Sequence, residues 1–260
     1  MIDQRALCVI TGASRGYGRT LALVLAEAVA PSSVFLLLAR DEAGLAETRV
    51  RMLTVKAGLH VETCAVDLGR ADAPELSRCV AAVAQAAAVE VGILIHNAGS
   101  IGRPSLRAAD HRDRSELLDY CGLNVASPVL LTSVYLSELR ASARRHIVVN
   151  ISSLAAVQAL SSLSLYCTGK AARDAFFRSL ALEEKELRVL SWAPGPMQTT
   201  MVASIGEESF DPEMRAGFGA SFAGVDLEVS AKQLLKLLRE DKFESGAHID
   251  IYDVWQPESK

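Results

Sequence analysis

The sequence lacks an excess of basic residues. Lys and Arg total 27 against 31 Asp and Glu, so the 260 residues carry a formal net charge of -4 at pH 7. A surface that binds nucleic acid or an anionic membrane needs positive charge to neutralise phosphate groups. This charge balance argues against both kinds of partner and favours small molecules.

Cysteines are few and follow no pairing pattern. The five of them, Cys8, Cys64, Cys79, Cys121 and Cys167, include no C-x-x-C pair. An odd number in a chain of this size does not indicate a disulfide framework. We expect reduced thiols, most of them packed against other residues.

A membrane-directed segment is also missing from the pattern. The N-terminus, MIDQRALCVITG, enters an apolar strand without a basic and apolar leader, and the most apolar stretch, residues 79–99, is interrupted by Gln85 and Glu90. The sequence therefore predicts no membrane span, and a cytoplasmic location is the expectation.

What the sequence does contain is a regular alternation of strand and helix patterns, with no internal repeat or low-complexity linker. Half of its residues are hydrophobic, enough for one large core, so we predict a single α/β domain over residues 1–260. Strand patterns cover residues 6–11, 34–40, 59–66, 91–96, 188–193 and 246–253; helix patterns cover residues 20–30, 75–89 and 229–240, a segment ending near 57, a segment around Asn124, and a segment from Tyr166 to about 186.

A glycine-rich turn, TGASRGYG, joins the first strand to the first helix, with glycines at 12, 16 and 18. Glycines let the backbone approach a pyrophosphate, and the following helix N-terminus offers N–H groups to it. Glycines also end strands for steric reasons alone. The flanking strand and helix favour a dinucleotide site.

Arg40 follows the second strand at the position where NAD-selective proteins place an acid for the ribose 2′-hydroxyl. A guanidinium there favours a 2′-phosphate, and therefore NADP, with Arg15 as a second clamp. Asp41 could partly neutralise Arg40, and the alternative is a solvated surface ion pair.

Polar residues follow the next two strands. Asp67 is expected either to bind the adenine amino group or to cap a helix that starts near Ala71. Asn97, in the sequence Asn-Ala-Gly, is expected to join the central strands through side-chain hydrogen bonds. His96 has no second ligand at metal spacing, so we predict a packed or capped imidazole.

Asn124 lies midway along an apolar helical run, where asparagine is unfavourable unless its amide is used. It is expected either to bond the helix backbone or to hold a water in a proton relay. Further on, Pro194, Gly195 and Pro196 end a strand and turn the chain over the sheet edge where ligands bind. Residues 197–226 have weak periodicity and are predicted to form a mobile lid.

Residues 147–170 carry the chemistry. Tyr166 and Lys170 are four positions apart, on one face of a predicted helix, and Ser153 ends the preceding strand. A nearby ammonium lowers the pKa of a phenol, so Tyr166 is a candidate general acid, and Ser153 could bind the same substrate oxygen. A tyrosine and a lysine at this spacing also meet by chance in many proteins, so the motif depends on the rest of the chain.

In order and spacing, these residues resemble the short-chain dehydrogenase/reductase family over essentially the whole chain. The resemblance implies a Rossmann fold with a doubly wound, seven-stranded parallel sheet and helices on both faces. It also implies a catalytic tetrad of Asn124, Ser153, Tyr166 and Lys170, with Ser153 preferred over Ser152 because it lies 13 residues before Tyr166. Further implications are Lys170 on the nicotinamide ribose, Thr199 near the nicotinamide amide, and a homodimer formed through the long helices.

Within the family, the segments VVNISSLAA, LYCTGKAARD, APGPM and FESGAHIDIYD are most similar to members that reduce side-chain carbonyls of a pterin with NADPH, in the last steps toward tetrahydrobiopterin. This likeness implies that Asp250 anchors the pterin; without it, Asp250 would be a surface acid at a strand end. Members of the family commonly have aromatic residues where this chain has Leu160 and Leu163, which leaves less stacking for a flat ring.

The complete prediction comprises catalytic, substrate-binding and cofactor-binding residues and no metal ligand. The catalytic set is Ser153, Tyr166, Lys170 and Asn124; the substrate-binding set is Ser153, Tyr166, Gly195 and Asp250; the NADPH-binding set is Gly12, Ala13, Ser14, Arg15, Gly16, Tyr17, Gly18, Arg40, Asp41, Asp67, Leu68, Asn97, Lys170, Met197 and Thr199. Two alternatives are a broad carbonyl reductase and an NADP-sensing module without chemistry.

Overall fold

The computed structural model describes residues 2–84 and 89–256. Seven strands run through them: β1 (Ala6–Thr11), β2 (Val34–Ala39), β3 (His60–Ala65), β4 (Val89–His96), β5 (Ala143–Ile151), β6 (Leu187–Ala193) and β7 (Ala247–Asp250). They form one parallel sheet in the order β3-β2-β1-β4-β5-β6-β7. The predicted α/β fold with a doubly wound, seven-stranded sheet is confirmed.

Burial along the strands follows their place in the sheet. Every residue of β1 and β2 is buried, as expected of continuous apolar strands covered by helices on both faces. β3 lies at an edge, and only Val61 of its six residues is fully buried. The alternating pattern of residues 59–66 therefore predicted an edge strand correctly.

Helices cover both faces of the sheet. They are α1 (Gly16–Ala28), α2 (Glu42–Val55), α3 (Ala73–Ala84), α4 (Arg114–Cys121), α5 (Ser127–Leu139), α6 (Ser164–Glu183), α7 (Thr200–Glu208), α8 (Pro212–Gly217), α9 (Leu227–Glu240) and α10 (Ile251–Val254). One core layer packs α1, α2 and α9 against the sheet, and the other packs α3, α5 and α6. The two layers account for the two hydrophobic sides of the buried strands.

Two predicted boundaries are wrong, and the predicted lid contains regular structure. The helix predicted over residues 75–89 ends at Ala84, residues 85–88 lie outside the described residues, and Val89 already belongs to β4. The last strand stops at Asp250, where α10 begins. The predicted lid contains α7 and α8, because Thr199 and Asp211 cap their N-termini and make two short helices possible.

The expectation of five reduced thiols is wrong at two positions. Cys64 on β3 and Cys79 on α3 form a disulfide, with Cα atoms 5.9 Å apart. Cys8, Cys121 and Cys167 are free. The pair is 15 residues apart in sequence, and it meets because α3 returns against the edge strand that precedes it. No spacing motif marks such a contact, which depends on the path of the connecting turn.

One helical run among the described residues, 114–142, is long and apolar enough to cross a membrane by length and composition, with a mean hydropathy of 1.3. It is not the stretch that the sequence pattern indicated. A core helix meets the same criterion, and the α5 part of the run has that role. It packs against α3 and β4 and buries Leu131, Val134 and Tyr135.

Candidate active site

The carboxyl ends of the parallel strands meet at one edge of the sheet, and the predicted site residues gather there. Thr11 ends β1, His96 ends β4, Ile151 ends β5 and Asp250 ends β7. Predicted site residues follow the first three strand ends, and Asp250 is itself one of them. In open α/β sheets this edge is where ligands bind.

The glycine turn is held against β4 by contacts that exclude side chains. A Cβ atom on Gly12, whose φ is +66°, would lie 2.8 Å from Nδ2 of Asn97. A Cβ atom on Gly18 would lie 2.2 Å from the carbonyl oxygen of Gly12. The close approach of β1, α1 and the turn after β4 therefore requires glycine at both positions.

The third glycine faces open space. Gly16 has a φ of +53°, and a Cβ atom there would meet nothing within 4 Å. It begins α1, a helix of 13 residues whose N-cap residue, Arg15, provides no side-chain cap. The first N–H groups of α1 thus lack a side-chain acceptor, which suits the pyrophosphate of a dinucleotide.

One residue of the predicted cofactor set faces elsewhere. The side chain of Tyr17 is buried between α1 and α9, where its hydroxyl accepts a hydrogen bond from Nε1 of Trp192 and bonds to Oγ of Ser230 at 3.0 Å. Only the backbone of Tyr17 can contribute to the turn. The helical period explains the error, because the second residue of α1 already belongs to the face that packs on the core. Ala13 and Ser14 are buried beside it, so they too would bind through their backbone.

The two arginines proposed to bind a 2′-phosphate, Arg15 and Arg40, are both exposed at the same strand end. Asp41 does not form an ion pair with Arg40 among the described residues. Its carboxylate instead caps α2 by accepting a hydrogen bond from the N–H of Gly44 at 3.0 Å. The negative charge is therefore committed to the helix N-terminus, and the guanidinium of Arg40 stays accessible.

Asp67 does not cap the following helix. Its Oδ1 accepts from the N–H of Gly69 at 3.0 Å, in a local turn, while Asp72 accepts from the N–H of Glu75 and caps α3. The carboxylate of Asp67 is exposed, and Leu68 beside it is buried. Of the two sequence-based alternatives the cap is excluded, and a contact with adenine stays a prediction.

Asn97 joins β1 to β4 as the sequence predicted. Its Nδ2 donates to the carbonyl oxygens of Thr11 at 3.0 Å and Gly12 at 3.3 Å, and its N–H donates to Oγ1 of Thr11. His96 is buried, with Nε2 2.8 Å from Oγ1 of Thr132. This burial and contact confirm the predicted packed imidazole. No group of His, Cys, Asp or Glu that could hold a metal ion occurs in the described part of the chain.

Asn124 lies in a π-helical turn, Gly122–Ala126, between α4 and α5. Its Nδ2 donates to the carbonyl oxygen of Tyr120 at 3.0 Å, and its Oδ1 accepts from the N–H of Ser100 at 2.8 Å. The amide therefore satisfies the helix backbone and also fixes the loop after β4. A π-helical turn frees a carbonyl from the regular ladder and often marks a functional position.

Ser153, Tyr166 and Lys170 come together at the ends of β5 and α6. The hydroxyl of Ser153 lies close enough to that of Tyr166 to lower its pKa. Nζ of Lys170 donates to the carbonyl oxygen of Ile151 at 2.6 Å and lies 5.4 Å from the centroid of the Tyr166 ring. Ser153 also accepts from the N–H of Ala155, which fixes its side chain. The structure thus places a hydroxyl pair and an amine beside the predicted cofactor crevice.

The electrostatics differ from the sequence-based expectation. Burial raises the pKa of Tyr166, and its hydrogen bond with Ser153 and the charge of Arg173 oppose that rise. Burial also lowers the pKa of Lys170 well below its usual value, which weakens its charge at neutral pH. The expectation that Lys170 lowers the pKa of Tyr166 is therefore wrong here, and Tyr166 holds its proton at neutral pH.

A row of four polar side chains lies beneath α6, and His96 is the only one of them that the sequence pattern indicated. His96, Asn150, Ser191 and His248 lie in register across β4, β5, β6 and β7. They lie within strands that otherwise appear apolar. A buried asparagine and a serine in consecutive core strands were the available signal.

Asp174, on α6, covers this row. Its Oδ1 accepts from Nδ2 of Asn150 at 2.8 Å and from Oγ of Ser152 at 2.7 Å, and its Oδ2 lies 2.6 Å from Nδ1 of His248. Burial works to raise the pKa of Asp174, but the hydrogen bonds from His248 and Ser152 outweigh it and lower the pKa. Its spacing of four residues after Lys170 could have identified it.

The turn after β6 brings the lid toward the same edge. Gly195 has a φ of +79°, and a Cβ atom there would lie 2.8 Å from Val225. Met197 is buried and pairs with Val225, and Oγ1 of Thr199 caps α7 by accepting from the N–H of Val202. These contacts fix both ends of residues 197–226 on the sheet.

A cavity of about 360 Å³ opens between the start of α7 and the turn after α8. It is lined by Thr199, Thr200, Phe218, Phe222 and their neighbours, and the two phenylalanine rings are 5.0 Å apart. Phe218 packs against the same small apolar cluster as Tyr166, Leu160 and Leu163. The cavity is therefore bordered by two aromatic rings of residues 197–226.

Asp250 is half-buried at the end of β7 and is the N-cap of α10. Its Oδ1 accepts from the N–H of Tyr252 at 3.0 Å, and its own N–H donates to Asp253. The sequence-based alternatives were an anchor for substrate and a surface acid. The capping bond fixes the direction of the carboxylate at the ligand-binding edge, and an anchoring role stays a prediction.

Comparisons with known proteins agree with this geometry. A family model described as short chain dehydrogenase matches residues 6–209. The sepiapterin reductase of Xenopus tropicalis is 43% identical over 251 residues, which cover 95% of this chain and 96% of that protein. The sepiapterin reductase of Rattus norvegicus is 41% identical over 254 residues, with coverages of 96% and 97%. The solved structure of levodione reductase superposes with a TM-score of 0.78 at 20% identity over 95% of both chains, a likeness of fold.

Proposed function

The chain belongs to the short-chain dehydrogenase/reductase family, and from this membership we propose that it is an NADPH-dependent reductase of side-chain carbonyls on a pterin, of the sepiapterin or 6-pyruvoyl-tetrahydropterin type. The membership makes it an oxidoreductase that works with a nicotinamide cofactor. The substrate class is supported by relatives named sepiapterin reductase that match nearly the full chain.

The observation that carries the chemistry is the hydroxyl pair of Ser153 and Tyr166 beside Lys170, at the sheet edge that also bears the glycine turn. A reduced nicotinamide supplies the hydride when it is bound. Ser153 is proposed to hold the carbonyl oxygen and stabilise the charge that gathers there, and Tyr166 to donate the proton.

Lys170 and Asn124 support this proton transfer. The amine of Lys170 is directed by its bond to the carbonyl oxygen of Ile151, which leaves other N–H groups for a ribose hydroxyl. Asn124 holds the carbonyl oxygen of Tyr120 within its π-helical turn and is proposed to order the path by which Tyr166 recovers its proton. The raised pKa of Tyr166, caused by burial, keeps the acid protonated between turnovers.

Selection of NADP over NAD is proposed to rest on Arg40 and Arg15. Both guanidiniums are exposed beside the glycine turn, and Asp41 is occupied as the cap of α2. Hydrogen bonds to a charged group contribute about 1.5–3 kcal/mol each, so one good contact gives roughly 10- to 100-fold preference.

The pterin ring is proposed to lie between the lid and the end of β7. The second oxygen of Asp250 can join the first in accepting two parallel N–H bonds from the pterin edge. Phe218 and Phe222 are proposed to supply the apolar face that Leu160 and Leu163 supply less well. In the cell, we propose that the chain acts as one domain, as a cytoplasmic homodimer, in the last steps toward tetrahydrobiopterin.

The deciding experiment is NADPH oxidation with sepiapterin, compared with a simple aliphatic diketone. We expect a higher kcat/KM for sepiapterin. Equal or higher efficiency with the diketone would favour a broad carbonyl reductase, which the leucines at 160 and 163 also allow. Binding of NADPH without oxidation by any carbonyl would favour a sensing module.

A further inference from the structure

Arg173 is a buried cation next to the catalytic residues. It lies on α6, three residues after Lys170, and is only 2% exposed. Its Nε donates to Oδ1 of Asn150 at 2.7 Å, its Nη1 to the carbonyl oxygen of Ala98 at 3.1 Å and its Nη2 to that of His96 at 2.6 Å. Within residues 2–84 and 89–256 it forms no ion pair at contact distance.

All three acceptors are neutral oxygens. They need hydrogen-bond donors, which uncharged side chains also provide, yet the chain buries a full positive charge among them. Burial of an ion is expensive even when its hydrogen bonds are satisfied. The three hydrogen bonds alone therefore do not explain why a positively charged side chain is buried here.

The guanidinium lies at the turn that follows β4. A Cβ atom on Gly99 would lie 3.8 Å from Nη1 of Arg173 and 3.0 Å from Oδ1 of Asn124, so the two side chains border the same glycine. Side chains on a helix lean toward its N-terminus, and on α6 that direction leads to Lys170 and Tyr166. Arg173 is seven residues after Tyr166, on the same face of α6, and its charge acts to lower the pKa of Tyr166.

Burial and a neighbouring charge both disfavour the charged form of Lys170. Burial lowers its pKa well below the usual value, and the neighbouring charge of Arg173 lowers it further. Burial lowers the pKa of Arg173 only to about 10, so the guanidinium stays protonated at neutral pH. Arg173 therefore supplies a positive charge at this point at neutral pH.

We infer that Arg173 is a positioning residue for the reaction: its charge favours the ionised form that Tyr166 passes through, while its planar fork holds the turn of Ala98 and Gly99 in place. Asn150 links it to Asp174, because one asparagine side chain accepts from the arginine and donates to the carboxylate. The inference rests on the proposed reductase chemistry and is independent of the identity of the carbonyl substrate.

The other groups around Tyr166 are accounted for. Cys167 and Lys170 share its helix, and Tyr120 approaches from α4, with a hydroxyl that has no hydrogen-bond partner among the described residues. The lid contributes only apolar contacts from Met201, Met214 and Phe218. Asp174 and His248 lie beyond Arg173. Arg173 is the one group among these that is cationic throughout the neutral range.

The test is the pH dependence of carbonyl reduction in an Arg173→Gln variant, which keeps hydrogen-bond donors and removes the charge. Reduction requires protonated Tyr166, so activity falls on the alkaline side as the phenol ionises. We expect this alkaline limb to move to higher pH by about one unit in Arg173→Gln, from the loss of one charge at close range. In Arg173→Lys the alkaline limb of the pH profile should stay at the wild-type pH, because the charge is kept. The value of kcat/KM should fall, because an ammonium lacks the planar, forked donors of the guanidinium.

Arg178→Gln is the matched control, since Arg178 is an exposed arginine on the same helix. Its pH profile should equal that of the wild type. A lower rate in Arg173→Gln with an unmoved alkaline limb would overturn the inference and leave a structural role alone.

A second variant and a titration test the inference independently. If Arg173→Gln does not fold, Asp174→Asn replaces it: removal of the opposing charge should move the limb to lower pH, and an unmoved limb overturns the inference. Ultraviolet titration of the Tyr166 phenol, taken as the difference from a Tyr166→Phe partner, should show the same displacement without turnover. It therefore separates a failure of this inference from a failure of the proposed reductase function.

Discussion

The hydroxyls of Ser153 and Tyr166 lie close enough for Ser153 to lower the pKa of Tyr166, although the two residues are 13 positions apart and belong to different elements. Ser153 lies two residues after the end of β5, and Tyr166 lies in the first turn of α6. A single substrate oxygen can therefore contact both groups. This geometry determines the first prediction.

Tyr166→Phe should nearly abolish turnover with folding intact. The phenyl ring keeps the packing against Ile101 and Leu163, but the proton donor is lost. General acid catalysis contributes about 10²–10⁴-fold in rate, so kcat should fall by that factor while NADPH binding is kept. Stopped-flow rates and fluorescence titration of NADPH measure the two effects, and turnover near the wild-type value would refute the role of Tyr166.

Asp250→Asn should separate substrate anchoring from helix capping. Asparagine is as good an N-cap as aspartate, so α10 should remain, but the amide cannot accept two parallel N–H bonds. We expect KM for sepiapterin to rise roughly 10-fold or more, with little change for an aliphatic diketone. An equal effect on both substrates would exclude the anchoring role.

Arg40→Gln should weaken NADPH selectively. The loss of one charged hydrogen bond predicts a rise of roughly 10- to 100-fold in the KM for NADPH and little change for NADH. Arg49→Gln, an exposed arginine on α2, is the control. If the ratio of the two cofactors is unaltered in Arg40→Gln, selection must come from another residue.

The pair of Asp174 and His248 should make stability depend on pH. Burial works to raise the pKa of Asp174, but hydrogen bonds from His248 and Ser152 outweigh this effect and lower that pKa below 3.8. The hydrogen bond to Asp174 raises the pKa of His248 above 6.5. The contribution of Asp174 to stability is present above pH 3.8 and is lost as the pH falls through the pKa of Asp174 in the folded state. The contribution of His248 is present below pH 6.5 and is lost as the pH rises through the pKa of His248 in the folded state.

Both contributions are present between these values. A double-mutant cycle with Asp174→Asn and His248→Gln should therefore give a coupling free energy of about 1–2 kcal/mol near pH 5.5 and a smaller one near pH 9. Urea unfolding at the two pH values measures it. Equal coupling at both would contradict the assignment of an ion pair.

The disulfide between Cys64 and Cys79 predicts three titratable thiols in denaturant without reductant, and five after reduction. Closing a loop of 15 residues stabilises a fold by about 3 kcal/mol, so Cys79→Ser should lower the free energy of unfolding by up to that amount. Cys121→Ser, at an exposed free thiol, is the control. Five thiols in the unreduced protein would show that the pair is open in solution.

Local patterns predicted most of the elements because each strand and helix has its own period. The continuous apolar runs of β1 and β2 and the alternation in β3 reflect how many faces of each strand are covered. Boundaries were less accurate where a single cap decides them. β7 ends at Asp250, before the predicted end at residue 253, because Asp250 is the N-cap of α10. The hydrophobic period of the segment does not show this change from strand to helix.

The site was predicted as far as its residues lie at strand ends or share a helix face. Asn97 and Asn124 use their amides as expected. The side chain of Tyr17 was misplaced because the glycine turn does not specify which face of α1 packs on the core. Arg173 was missed because its partners are carbonyl oxygens on β4 and a side chain on β5, which no spacing in the sequence connects.

The sequence by itself determined the order of strands and helices, the glycine turn and the helical spacing of Tyr166 and Lys170, since these depend on neighbours within a few residues. Only the tertiary structure decided which charges act on Tyr166, which cysteines meet and which rings face the cavity. Those properties depend on distances between segments far apart in the chain. Burial then changes the electrostatics of the ionisable side chains, because removal from water shifts each pKa by an amount that depends on the surroundings and not on the residue type alone.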